Sequence, residues 1–157
     1  MSELILYEPR LKDLWFKDKM LSDKETMSYN AKWGGAIGFP DDRRAEWYKL
    51  WVQNEDGKRF YRYLCDELEN FVGEIVYRYD DTRGIYLADI IIFAPYRLKG
   101  YGKRGLNILC KQAKSRGITS LFDDIAVDNA AAINLFLSCG FTEYDVTDEI
   151  ITLKKDL

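Results

Sequence analysis

The residues best suited to chemistry in this chain are a glycine-bearing loop, Arg97-Leu98-Lys99-Gly100-Tyr101-Gly102, and the acids near it. An apolar run, Leu87-Ala88-Asp89-Ile90-Ile91-Ile92-Phe93, precedes the loop and reads as a strand buried on both faces, with Pro95 ending it. Beyond the loop, Leu106, Leu109, Cys110 and Ala113 recur at helical spacing. Lys111, Lys114 and Arg116 sit near the far end, where a helix favours cations, and Gly117 supplies the stop. Strand, glycine loop and helix in that order aim the unpaired N–H groups and the positive dipole end of the helix at one point, which is expected to hold an anion. Gly100 and Gly102 carry no side chain to keep a phosphate from the backbone. Asp89, an acid inside an apolar strand, is a candidate general base, because burial would raise its pKa toward a useful range; a structural salt bridge is the competing explanation.

The rest of the composition narrows that chemistry. The sequence contains no histidine, which removes the commonest metal ligand, the usual general base and the Ser-His triad together. Proton transfer must therefore use carboxylate, Tyr, Cys, Lys or water. Cys65, Cys110 and Cys139 are odd in number, widely spaced and set in apolar segments, which suits reduced core thiols. No metal is expected. A net charge of −3, with both signs interspersed, argues against a nucleic-acid partner. No apolar run is long enough to cross a bilayer, and Glu3, Glu8 and Arg10 break the N-terminal apolar stretch, so no membrane association and a cytoplasmic location are expected. At 157 residues, 47% hydrophobic and 31% charged, the chain reads as one soluble globular domain spanning 1–157. The 15% aromatic content is high enough that some rings should line a cavity.

The elements that position the loop read off in order. Leu4–Tyr7 is a short strand, and Leu11, Leu14, Trp15, Met20 and Leu21 share a helical face. Tyr29–Pro40 lacks periodicity and is expected to be a loop. Asp41-Asp42 can cap a helix whose stripe is Trp47, Leu50 and Trp51. Strands follow at Arg59–Cys65, Phe71–Tyr79 and Leu87–Phe93, separated by turns at 66–70 and 80–84, so three successive antiparallel strands lead into the loop. After the central helix come a strand at Ser120–Val127, a helix at Asn129–Ser138 and two short strands, Glu143–Val146 and Glu149–Leu153. The expected fold is α/β, a mostly antiparallel mixed sheet of about seven strands with about four helices.

Two other phosphate loops fit poorly. The Gly-x4-Gly-Lys-Ser/Thr run of a P-loop is absent, and although Gly100, Gly102 and Gly105 spell GxGxxG, the string comes mid-chain, after most of the sheet. Arg97-x-x-Gly100-x-Gly102, preceded by an apolar strand and Pro95-Tyr96, instead resembles the acetyl-CoA loop of the GNAT superfamily of N-acetyltransferases. The stretch Asp128-Asn129-Ala130-Ala131-Ala132-Ile133-Asn134-Leu135-Phe136-Leu137-Ser138-Cys139-Gly140-Phe141 resembles that superfamily's second signature, in the usual order and separation.

The resemblance implies a single GNAT domain with an acyl-CoA cleft between splayed central strands, and transfer of acetyl from the co-substrate acetyl-CoA to a primary amine by direct attack. A small-molecule amine is favoured over a protein as acceptor, and free strand edges near the C-terminus would allow a homodimer. It implies that backbone groups of Leu98, Lys99, Gly100, Tyr101, Gly102 and Lys103 take the pyrophosphate, with Arg97 and Lys99 as nearby cations unless they are plain surface charges. Ile90, Ile91 and Ile92 would pair with the pantetheine arm, and Asn129 would hydrogen-bond it or serve only as a helix cap. In the ribosomal-protein alanine acetyltransferases a Glu base falls five residues before the equivalent Asn, and Asp124 holds that place here, making it the leading base ahead of Asp89. Asp123 would point to the opposite side of the strand. Many members protonate the leaving thiolate with a Tyr where this chain has Phe136. Tyr144 and Tyr101 are conceivable substitutes, and the loss admits an alternative, an inactive acyl-CoA-binding module. Trp33, Phe39 and Tyr61 are the expected acceptor-binding rings; in a pure binding module the same rings would fill the channel.

Overall fold

A computed structural model describes residues 3–157, apart from the side chains of Lys32 and Trp33. Strand β1 (Ile5–Tyr7) leads through a 3-10 turn (Leu11–Leu14) into helix α1 (Trp15–Ser22). A second 3-10 turn (Ser28–Trp33) precedes α2 (Asp41–Trp51). Then come β2 (Arg59–Cys65), β3 (Phe71–Asp80), β4 (Ile85–Ile92), α3 (Tyr101–Ser115), β5 (Ser120–Ala126), α4 (Ala130–Ser138), β6 (Thr142–Val146) and β7 (Ile150–Asp156). The sheet order is β1-β2-β3-β4-β5-β7-β6, antiparallel at every junction except β4–β5.

Alternation along the strands sends side chains to two different cores. Phe60 and Leu64 of β2, Ile75 and Tyr77 of β3, and Ala88 of β4 pack with Leu106, Leu109 and Ala113 of α3 and Phe136 of α4. Tyr61, Tyr63, Val76 and Ile91 turn to the other face, against Phe16 and Met20 of α1. Helix α3 lies close on the sheet at Gly105, where a Cβ would sit 2.7 Å from Leu64 Cδ1 and 3.0 Å from Ile90 Cδ1. The tyrosine-rich face is held by a buried ion pair: Lys17 Nζ donates to Glu74 Oε1 at 3.0 Å, and Tyr61 Oη donates to the same oxygen at 2.6 Å.

The parallel junction opens the molecule. β3 and β4 stay in register from Asp80↔Ile85 to Gly73↔Ile92, whereas β4 and β5 meet only at Leu87↔Phe122 and then part. Beyond Leu87, β4 backbone groups that face away from β3 have no strand partner, so the split exposes a row of peptide N–H and C=O groups.

Three sequence expectations shift. The 29–40 loop opens with the 3-10 turn at Ser28–Trp33, because Asn30 N–H bonds back to the Met27 carbonyl at 2.9 Å. The stripe of α2 is half-buried, with no fully buried residue, since this helix leans on the core through the partly buried Trp47, Tyr48 and Trp51. The last strand runs on to Asp156 because β5 pairs with it as far as Ser120↔Asp156. Among the described residues no helix is long and apolar enough to cross a membrane, and no His/Cys/Asp/Glu cluster could hold a metal ion.

Candidate active site

A cavity of about 1100 Å³ fills the split between β4 and β5. At one end it meets the start of α3. Leu98 (φ 64°) and Gly100 (φ 82°) both take left-handed backbone, turning the chain sharply so that α3 begins with no side-chain cap. The first α3 amide to reach a carbonyl of the preceding turn is Arg104, on Gly100 at 3.2 Å. The N–H groups ahead of it face the cavity end, a ready seat for an anion. A Cβ on Gly100 would meet nothing within 4 Å, so that position is glycine for its φ, whereas a Cβ on Gly102 would press on Leu135 Cδ2 at 3.3 Å. Gly102 thus also lets α3 approach α4, a reason the sequence alone does not supply.

The structure brings Ile90, Ile91, Ile92, Leu98, Gly100, Tyr101, Gly102, Lys103, Asn129 and Phe136 together around the cavity, as the loop and signature spacing led one to expect, while Lys99 is not on its wall. Asn129 caps α4, its Oδ1 accepting from Ala132 N–H at 3.3 Å, and still lines the cavity, so capping and ligand contact do not compete. Arg97 also lines it, but its guanidinium is spent on backbone carbonyls: Ile92 at 3.2 Å, Glu25 at 3.2 Å and Thr26 at 2.7 Å. It acts as a clasp between the loop and the segment after α1 rather than as a free cation for phosphate.

The acids differ sharply. Asp124 lines the cavity, yet Arg83 from the β3–β4 turn grips it with both terminal nitrogens, at 2.7 and 3.2 Å, and Thr152 Oγ1 donates to it at 2.7 Å. The Arg83 hydrogen bonds hold its carboxyl below the usual carboxylate range. It is a poor proton acceptor, contrary to its place as leading base. Asp89 is exposed to the open cavity, and the protein mass around its carboxyl, with the Glu74 charge, pushes it up to about 6. Asp123, across the split, is pushed well above the carboxylate range by desolvation and then by the charge on Asp89. Sequence alternation set Asp123 aside on the far face of β5, but the splay turns that position toward the cavity as well.

On the acceptor side the expected rings are elsewhere. Phe39 is buried against Trp47 with ring centroids 5.2 Å apart, and Tyr61 is 1% exposed and held by Glu74; neither lines the cavity. The Trp33 side chain lies outside the described residues. The wall is instead Tyr29, Asn30 and Ala31 of the 3-10 turn, with Trp51 and Arg78. Burial, and the charges of Asp89, Glu74 and Asp123, raise the Tyr29 hydroxyl well above its ordinary pKa. The sequence signal for Tyr29 was only its membership of an aperiodic loop. Tyr144 meets Phe122 edge-to-face outside the cavity, 63% exposed, and Phe136 is 2% exposed against Phe141.

Comparison with known proteins agrees with this geometry. Residues 17–141 match the family described as the acetyltransferase (GNAT) family. An uncharacterized N-acetyltransferase, YycN, of Bacillus subtilis (strain 168) is 38% identical over 61 residues, a match spanning 39% of each chain. The spermidine N-acetyltransferase of Vibrio cholerae, solved with CoA and spermine, superposes with a TM-score of 0.81 at 19% identity, covering 98% of this chain and 95% of that one. YncA from Salmonella typhimurium, a putative acetyltransferase solved with acetyl-CoA, gives 0.74 at 20% identity over 98% and 93% of the two chains.

Proposed function

The chain belongs to the GNAT acetyltransferase family, and from that premise we propose that it is an N-acetyltransferase acting on a small-molecule primary amine, with acetyl-CoA as donor. The observation that carries the reading is Asp89, a carboxyl of raised pKa standing open in the cavity between the splayed strands. The residues fit the donor. The uncapped start of α3 suits its pyrophosphate, the β4 edge from Ile90 to Ile92, which has no strand partner on the β5 side, suits its amide-bearing arm, and Asn129 offers an amide at the cavity wall. Bound acetyl-CoA supplies an activated thioester.

The protein's own groups do the rest. Cavity walls hold the amine against the acyl carbon, which replaces a bimolecular encounter with a positioned one. With a pKa of about 6, Asp89 is ionised at neutral pH yet basic enough to take the amine's proton. β4 N–H groups without a strand partner beyond Leu87 would stabilise the oxyanion, the Ile90 N–H once it is released from Asp89 Oδ1, to which it donates at 2.9 Å. Attack is direct, because Cys110 and Cys139, the nucleophiles nearest the helices of the site, are buried in the core and burial raises the Cys110 thiol further. Asp89 on the cavity wall, with Glu74 behind it, favours a cationic acceptor, and the neighbour solved with spermine is consistent with that chemistry.

A purely binding role would be favoured by a filled channel. Phe39 and Tyr61 are instead packed away from the cavity, which leaves Asp89 accessible. The test is release of thiol from acetyl-CoA against a panel of amines. We expect turnover that falls about a hundredfold or more in Asp89→Asn and stays within a few-fold of wild type in Asp124→Asn. Acetyl-CoA binding with no release by any amine would sink the enzymatic reading in favour of a binding module.

A further inference from the structure

Phe136 has no proton to give a departing thiolate, and the cavity contains a carboxyl that does. The last cross-strand pair before β4 and β5 part is Leu87↔Phe122; Asp89 lies two residues past it on β4 and Asp123 one residue past it on β5. The two acids therefore bracket the mouth of the split, on opposite walls of one cavity that Phe136 also lines. Unlike its neighbour Asp124, Asp123 is in no ion pair among the described residues. Resting on the acetyl-transfer reading, we propose that Asp123 is the general acid, protonating the leaving thiolate in the place a tyrosine at Phe136 would serve.

The surroundings of Asp123 order the two carboxyls. Desolvation acts on it first, and ionised Asp89 and Asp124 push in the same direction; Arg78 of β3 and the Asp124 N–H pull weakly the other way. The residue in register on β7 is the apolar Leu153, α4 contributes no titratable side chain, and Tyr29 of the 3-10 turn shares the cavity as a rival donor. Glu74 and Lys17 act on Asp89 from behind it. The charge on Asp89 thus raises the proton affinity of Asp123, the direction expected for two carboxyls facing one cavity, and the acid role requires that Asp123 be the later of the two to ionise.

Protons and electrons balance across the pair. The amine nitrogen bonds to the acyl carbon and gives its surplus proton to Asp89. The carbon–sulfur bond breaks, its electron pair stays on sulfur, and sulfur takes the proton of Asp123. Passage of the Asp89 proton to Asp123, directly or through cavity water, restores both groups, so one proton has moved from nitrogen to sulfur.

The test is kcat for acetyl-CoA with spermidine, tyramine and glycinamide from about pH 6 to about pH 10 in wild type, Asp123→Asn, Tyr29→Phe and Asp123→Asn/Phe136→Tyr. Wild-type kcat should fall on the alkaline side as Asp123 loses its proton. Asp123→Asn should lower kcat about a hundredfold, leave KM for acetyl-CoA within about threefold and abolish the alkaline limb, while Tyr29→Phe keeps it. Added Phe136→Tyr should recover about tenfold or more of the loss. An Asp123→Asn enzyme with wild-type kcat and its alkaline limb intact overturns the proposal, as does transfer of that phenotype to Tyr29→Phe. Should Asp123→Asn not fold, carboxyl 13C titration of the wild-type protein decides: one aspartate must remain protonated at about pH 7, and titration of every aspartate below about pH 5 refutes the acid. No thiol release by the wild type with any acceptor refutes the acetyl-transfer reading itself, an outcome distinct from the others.

Discussion

Removing Lys17 should cost both stability and the pH setting of the site. Its ammonium is the one cation paired with Glu74 among the described residues; the two side chains are 11% and 3% exposed, and both Lys17 and Tyr61 donate to Oε1 of that carboxylate. Lys17 Nζ also lies 5.0 Å from the ring centroids of Trp47 and Tyr61. In Lys17→Met the glutamate is left buried with only a phenol to answer its charge, a change that costs about 3–5 kcal/mol when a buried pair is broken from one side. For a domain of this size each kcal/mol moves the melting temperature by about 2–4 °C, so the expected fall is on the order of 10 °C. Glu74 pushes the Asp89 pKa up and Lys17 pulls it down, so the variant should carry its acidic kcat limb at higher pH than the wild-type midpoint of about 6. Thermal melting by circular dichroism reads the first effect and a kcat–pH profile the second. Lys17→Met/Glu74→Leu removes both charges and should recover most of the melting temperature while moving the limb below that of Lys17→Met, because the charge that raised Asp89 is gone. A single variant that melts within about 2 °C of wild type and keeps its acidic limb would refute this account of the pair.

Asp89→Asn should melt higher than wild type at neutral pH: the folded pKa of about 6 exceeds the reference value of 3.8, so the charge opposes folding above that window. As pH falls from about 6 to about 4 the wild type takes up a proton the unfolded chain does not, and the difference in melting temperature between the two proteins should close. Gly105→Ala should lose about 1 kcal/mol in denaturant titration, its methyl meeting Leu64 Cδ1 at 2.7 Å and Ile90 Cδ1 at 3.0 Å and costing more than the helix-propensity gain of about 1 kcal/mol; an unchanged or higher midpoint would show that these side-chain ends turn aside. Arg97→Ala should weaken acetyl-CoA binding about tenfold through the loop's lost anchorage while leaving the salt dependence of binding as in wild type; a shallower salt slope would instead make Arg97 a phosphate ligand.

Much of the fold is local and so was legible in the residues. Strands β2, β3 and β4 are runs of aromatic and β-branched residues closed by Asp- and Gly-bearing turns, and α3 carries an apolar stripe between a glycine loop and Gly117; short-range chemistry of that kind needs no tertiary information. The glycine turn into an uncapped start of α3 was legible for the same reason. What misled was long-range partnering. Asp124 has the right offset from Asn129, but the sequence does not reveal that the 80–84 turn brings Arg83 across to grip it. Phe39 and Tyr61 look like pocket rings until their partners, Trp47 and Glu74, are known. Alternation put Asp123 on the far side of β5, an inference sound for a paired strand that fails where β5 swings away from β4.

That swing connects the fold to the chemistry. A β4–β5 ladder continued past Leu87↔Phe122 would satisfy the backbone groups of Ile90 to Ile92 and close the space between Asp89 and Asp123. Splaying forgoes those hydrogen bonds and sets two carboxyls on the walls of one cavity, a cost the two helical cores on either face must offset. In return the same opening leaves the β4 edge without a strand partner and brings two acids to one cavity, the charge of Asp89 raising the proton affinity of Asp123. Asp124, on the same strand but gripped by Arg83 and Thr152, is not part of that pair. The division of labour we propose among three aspartates thus rests on where the strands separate and on which carboxyl already has a cation.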